Sequence, residues 1–345
     1  MMNYRRYVSR NILIGVVLLV LLFITMVYAL SHGGYDLSFG EVLSALFGRS
    51  GRKTHVLIWN IRFPRVLAGI FTGASLAVSG AVVQGALRNP LASPFTMGVS
   101  HGAMFGASLA IILGAGYSES TGRIVLSNPY VIILFAFAGA MIPSIVIFIL
   151  GKTKKAAPET VILMGIAMSS LFTAATTLVQ YFADELQLAT MVYWSFGDLG
   201  RATWKGNVLL LTVSIAIFVY FFLKAWDINA MVAGDEVAKS SGVRVEKIRL
   251  VMVLLSSLMT AVGVALVGVI GFVGLVSPHM IRIFIGEDYR FLVPFSALLG
   301  GLILLLADTF ARLLFSPMVL PVGVVTSFLG APLFIYLLVR SDRMK

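Results

Sequence analysis

RFPRVLAGIFTGASLAVSGAVVQGALRNPLASP, residues 62–94, is the stretch whose reading decides the fold. It opens on Arg62 and Arg65 around a proline, continues as an apolar helix studded with Gly, Ala and Ser, and closes on Arg88-Asn89-Pro90. A helix rises about 1.5 Å per residue and the hydrocarbon core of a bilayer is about 30 Å thick, so the segment is long enough to cross. Gly69 and Gly73 stand at GxxxG spacing, which lets neighbouring helices come close. Pro90 turns the chain, because proline donates no backbone hydrogen bond and restricts the residue before it.

The rest of the chain has the same character. Of 345 residues, 59% are hydrophobic and 12% charged, against about 25% charged in a soluble domain. Repeated apolar runs of about 20 residues predict an all-α polytopic membrane protein rather than a barrel. The net charge of +11 does not point to nucleic acid, since the basic residues fall in short loops between apolar runs, where orientation signals lie. With no cysteine, thiolate metal sites, disulfides and cysteine nucleophiles are excluded.

In order, apolar runs predict spans at about 12–30, 65–87, 95–115, 129–150, 160–182, 208–223, 250–270, 291–314 and 322–339. A shorter piece at 272–285, broken by Pro278, is marginal for a full crossing and is re-entrant or tilted, which makes about ten transmembrane helices in one domain, 1–345. Phe39, Val42, Leu43 and Leu46 predict a short amphipathic helix before the second span. Residues 184–205 form an outer amphipathic segment whose Trp194 and Trp204 suit a membrane interface. Residues 225–249 are the longest charged interval, read as a short helix stopped by Gly242 and then a second start. Cytoplasmic segments in this arrangement hold 17 of the 26 Lys and Arg, which places both termini inside a cell membrane. Arg49, Arg52, Lys53, Arg62 and Arg65 break that trend outside, and an acidic partner there is one cause.

The RFPR, SGAVVQ and RNPLASP strings resemble the FecCD family of ABC-importer permeases, which move iron-siderophores, haem and vitamin B12 inward. The string from Gly268 to Arg282 is similar to that family's GxIxFxGLxxPHxxR signature, with Gly271, Gly274, Pro278, His279 and Arg282 in structural places. The interval 234–243 resembles its GxxxAxxLGV cytoplasmic signature, with Ser241 where leucine is usual. The resemblance implies the type II ABC importer permease fold. It implies that Gly234, Asp235, Glu236, Ala238, Lys239, Ser241, Gly242 and Val243 dock in a cleft of an ATPase subunit, although composition alone reads them as a solvated connection. It also implies that Arg62, Arg65 and Arg312 meet carboxylates of an extracytoplasmic substrate-binding protein, where the residues alone read as headgroup anchors. Asn89 and Leu91 match cytoplasmic gate positions of a related B12 permease; an Asn-Pro turn explains them equally.

The expected assembly is two permease copies in membrane lipid, two ATP-binding subunits that hold ATP and Mg, and a binding protein. The chain itself holds no cofactor or metal and is not an enzyme. Iron-siderophore is the expected cargo, with haem, cobalamin and molybdate as alternatives. An ion-coupled secondary transporter would need midplane carboxylates, and only Asp308 is a candidate. An intramembrane hydrolase would rest on Gly98-Val99-Ser100-His101-Gly102, but adjacent helical residues point apart and make no dyad.

Overall fold

The computed structural model describes residues 4–115, 128–153, 157–316 and 318–342. Among them there is no strand. Helix α1 (Tyr4–Ser31) is followed by the short α2 (Phe39–Leu46), whose start is closed by a capping box between Ser38 and Glu41. The helix α3 (Arg52–Val56) runs through a π-helical stretch, Leu57–Arg62, directly into α4 (Phe63–Ala86). The helix of the second crossing therefore starts at Arg52, 13 residues before the start near Arg65 that hydropathy predicts, and extends 35 residues. Aromatic packing makes that extension possible: Trp59 stacks on Trp204, and its indole donates to the Ala45 carbonyl of α2.

Next come α5 (Val99–Ala110), extended by the π-helical Ile111–Ala115, then α6 (Pro129–Thr153), α7 (Pro158–Tyr181), α8 (Glu185–Ser195) and α9 (Trp204–Leu223). The charged interval folds as α10 (Ala225–Ala233) and α11 (Asp235–Ser240), joined at Gly234. The chain ends with α12 (Val245–Val267), α13 (Val273–Ile285), α14 (Tyr289–Leu313) and α15 (Val322–Asp342). Among the described residues, seven helices are long and apolar enough to cross a membrane, and three more, Val99–Ala115, Val273–Ile285 and Val322–Tyr336, are apolar but shorter. Of the basic corner at 151–155, Lys154 and Lys155 lie outside the described residues, as do Arg343 and Lys345.

Helix α4 is the axis of the bundle. Of its most apolar window 78% is buried, against 22% in α1 and α7, which form the rim. Its small residues are the reason: a Cβ at Gly73 would overlap the Gly300 carbonyl of α14, and one at Gly80 the Gly274 carbonyl of α13. Gly102 and Gly106 bring α5 against α6 in the same way. Trp194 corrects the interfacial expectation. It is buried at 3% exposure among α5, α6 and α12 residues, while Trp204 stays at the surface.

The two ends of α4 separate the two groups of polar residues. Arg62 and Arg65 stand at its start, whereas Arg249 of α12 donates to the Ala86 carbonyl at its end. Twenty-four residues of helix put these ends about 36 Å apart. The Tyr7 hydroxyl donates to the Ile285 carbonyl, so α1 begins at the end where α10 and α11 lie.

Candidate functional site

At the first end, the last turn of α1 carries no basic residue of its own, so its final carbonyls have no cation from that helix. Two arginines from elsewhere supply it. Arg62 donates from Nη1 to the Leu30 and Ser31 carbonyls at 2.6 and 2.9 Å and from Nη2 to the Tyr35 carbonyl. Arg312 donates to the carbonyls of His32 and Ala29 at 3.1 and 3.2 Å. Asp308, with no exposed surface, joins the group: Arg65 grips it with Nε and Nη2 at 3.0 and 2.8 Å, and Arg312 Nε donates at 3.1 Å. Asp198, before the short turn Leu199–Arg201, stands 3.7 Å from Arg65.

The structure thus brings together the three arginines that the sequence singles out, but turns them inward, with Arg62 only 5% exposed. Among the described residues, the exposed cations at this end include Arg49, Arg52, Lys53 and Lys205. Asp308 is neutralised by two guanidiniums, an arrangement that suits a fixed joint rather than an ion-coupling carboxylate.

Between the ends lies a cavity of about 550 Å³ bordered by α4, α5, the α12–α13 connection and α15. Its wall is apolar, with hydroxyls from Ser93, Ser100, Ser195, Thr260 and Ser327 and no charged side chain. Phe272, in the wall, adopts φ 64°, a conformation that a bulky residue holds only under constraint from its surroundings. Gly271 lines the same wall, and Gly274 meets the Leu76 carbonyl of α4. Ser100 faces this cavity while the neighbouring His101 ring packs edge-on against Phe95, and the two form no hydrogen bond with each other among those described.

At the second end, α11 stands on buried Ala238 and presents Glu236, Val237, Lys239, Ser240 and Ser241 outward. Gly234 takes φ 134° and Gly242 φ 85°, so glycine permits both the entry and the exit of this one-and-a-half-turn helix. Lys239 reaches Glu246 at 3.1 Å, which raises its pKa through that hydrogen bond. Asp235 accepts from Arg249 Nη2 at 2.7 Å and lies 3.6 Å from Arg88. Burial opposes the charged Asp235, but the Arg249 hydrogen bond and charge, with Arg88 behind them, hold the carboxyl below its usual range. Asn89 closes its turn by accepting from the Leu91 amide at 2.8 Å, and Leu91 is 47% exposed.

Pro278 and His279 are buried inside α13, where the imidazole stands edge-on to Phe334 of α15. Arg282 donates to the Gln84 side-chain carbonyl of α4 at 3.0 Å and approaches Glu287 at 3.7 Å. Among the described residues no group of three His, Cys, Asp or Glu is placed to hold a metal.

Sequence reasoning missed three of the residues that organise this end. Arg249 is 1% exposed although it reads as an ordinary flanking cation directly before the apolar run that starts at Leu250. Arg88 was passed over beside the more familiar Asn-Pro pair. Asn229 of α10 was missed too: it donates to Asp288 at 3.2 Å and accepts from the Tyr289 amide at 2.9 Å, and nothing local foretells that pairing.

The model of the FecCD transport family matches residues 18–340. This chain belongs to the FecCD transport family. A Methanocaldococcus jannaschii relative, provisionally designated the ABC transporter permease protein MJ0087, is 57% identical over 98% of this chain and 97% of its own. The hemin transport system permease protein HmuU of Yersinia pestis is 38% identical over 95% of this chain and 96% of its own. Among solved structures, the inward-facing conformation of an ABC transporter provisionally described as metal-chelate type superposes with TM-score 0.82 at 31% identity, covering 95% of this chain and 99% of that one. The FecCD chain described here is thus a multi-pass ABC importer permease, a transport subunit rather than an enzyme, with ATP hydrolysis assigned to separate subunits.

Proposed function

We propose that this permease passes an iron-siderophore or related metal chelate inward, as one of two identical copies in a prokaryotic cell membrane with both termini in the cytoplasm. A binding protein delivers cargo at the Arg62 end, and two ATPase subunits, which hold ATP and Mg, dock on residues 234–243. The observation that carries this reading is the placing of the arginine group and the α11 platform at opposite ends of α4. The uncharged, hydroxyl-dotted cavity supports a bulky chelate, because such a wall lets a large polar cargo pass without trapping it. Docking through Arg62, Arg65 and Arg312 requires incoming carboxylates to replace Asp308 and the α1 carbonyls, while Arg49, Arg52 and Lys53 supply the long-range attraction.

Proteoliposomes holding the permease, its ATPase subunits and its binding protein test the reading with labelled ferric citrate, haemin and cyanocobalamin. ATP-dependent uptake of the iron chelate is the expected result. Uptake driven by an ion gradient without the ATPase would overturn the importer reading, and ATP-dependent uptake of cobalamin alone would overturn the cargo.

A further inference from the structure

Only two non-glycine residues among those described have positive φ: Phe272 in the cavity wall and Arg88 beside the Asn89–Leu91 turn. Arg88 has φ 48° and occupies the position just past the end of α4, where its amide bonds to the Gly85 carbonyl and the Asn89 amide to the Gln84 carbonyl. Helices commonly end this way, but with glycine at the left-handed position, because a Cβ there is strained. An arginine holds such a conformation where its surroundings over-determine it.

The two backbone hydrogen bonds hold it there, and the charged neighbour of its side chain is Asp235. Its Oδ1 lies 3.6 Å from Arg88 Nη2 and accepts from Arg249 Nη2 at 2.7 Å. Arg249 in turn holds the Ala86 carbonyl with Nε at 2.8 Å. One carboxylate oxygen on the first residue of α11 therefore bonds the guanidinium that clamps the end of α4 and forms a longer ion pair with the left-handed residue after it. Three residues after Arg88, Leu91 is 47% exposed. A movement of α11 of a few ångströms separates Asp235 from Arg88 and leaves the left-handed turn held by its two backbone hydrogen bonds alone. The turn that follows is then free to take another path.

We infer that Arg88 is a positioning residue, a strained hinge latched by Asp235, through which displacement of α11 is passed to the Asn89–Leu91 turn. This rests on the proposal that an ATPase docks on α11. The structure supplies one arrangement of a two-state element, and the strain at Arg88 is what biases it toward change.

Arg88→Gly separates the latch from the fold. Glycine suits the left-handed position and keeps the end of α4 intact, while the ion pair with Asp235 is lost. Arg88→Lys keeps the charge. Because the chain contains no cysteine, Leu91→Cys reports on the turn as a single thiol. The permease is purified with its ATPase subunits in nanodiscs, and maleimide labelling of that thiol is timed without nucleotide and after trapping with ATP and vanadate. With Arg88 in place, and equally in Arg88→Lys, trapping is expected to change the labelling rate by about tenfold, which corresponds to about 1.4 kcal/mol in the opening of the turn. With Arg88→Gly the change is expected to fall below about twofold while ATPase subunits still co-purify. An unchanged nucleotide response in Arg88→Gly overturns the inference, and so does a loss equally severe in Arg88→Lys. The docking proposal has its own readout: Val237→Asp, on the exposed face of α11, should release the ATPase. If it does not, docking on α11 is wrong, whatever the thiol reports.

Discussion

Replacing Asp308 by Asn should unlock the Arg62 end of the bundle, and the structure sets the size of the effect. Asp308 has no exposed surface, and its partners Arg312 and Arg65 are 9% and 15% exposed. Asparagine keeps the volume but removes the charge, and turns an NH₂ toward guanidinium donors. Removing one member of a buried ion pair costs about 3–5 kcal/mol, because the surviving charges stay buried without a counter-charge. Arg65 retains Asp198 at 3.7 Å, so the lower figure, about 3 kcal/mol, is appropriate. At about 2–4 °C per kcal/mol for a large domain, the midpoint should fall by about 6–12 °C. Size-exclusion recovery after heating in detergent measures it. A double-mutant cycle with Arg65→Gln should return a coupling of at least about 1.5 kcal/mol, since the two side chains share three hydrogen bonds. A midpoint lowered by less than about 2 °C, or strictly additive variants, would refute the claim that this triad joins α4 to α14.

Three further outcomes follow from the same structure. Gly80→Ala should destabilise the permease by about 1–3 kcal/mol, because its Cβ would overlap the Gly274 carbonyl; Gly34→Ala, with nothing within 4 Å, should be near neutral in the same melt. The Asp235 tie has a pH signature: its folded pKa is depressed, so its contribution is complete above the unfolded value of about 3.9 and lost as the pH falls through the lower folded value. Hydrogen exchange at 235–245 should therefore stay constant from about pH 8 to 5 after correction for intrinsic rates and rise only below about pH 4, and Asp235→Asn should abolish that rise. Reversing the exposed outer charges with Arg52→Glu and Lys53→Glu should slow association of the binding protein by about tenfold at low salt, and by less at about 0.15 M, where the Debye length is about 8 Å; equal rates in a stopped-flow measurement would remove long-range steering from the proposal.

The sequence by itself determined the class of molecule. Apolar run lengths, the scarcity of charge and the spacing of Gly69, Gly73, Gly102 and Gly106 are local properties, and a bilayer converts them directly into helices and close helix contacts. The apolar helices themselves were legible for the same reason, and motif strings indicated the family. Tertiary structure alone decided where the second crossing starts, since Trp59 finds Trp204 145 residues away. It also decided that Trp194 is core, and that Arg62 and Arg312 serve the end of α1 rather than face outward. Hydropathy counts a guanidinium as a cost or an anchor and cannot see an orphan carbonyl on another helix. The junction of Arg88, Asp235 and Arg249 is of that kind: it joins the end of α4 to α11 and the start of α12, far later in the chain, and only their packing brings the charges within reach.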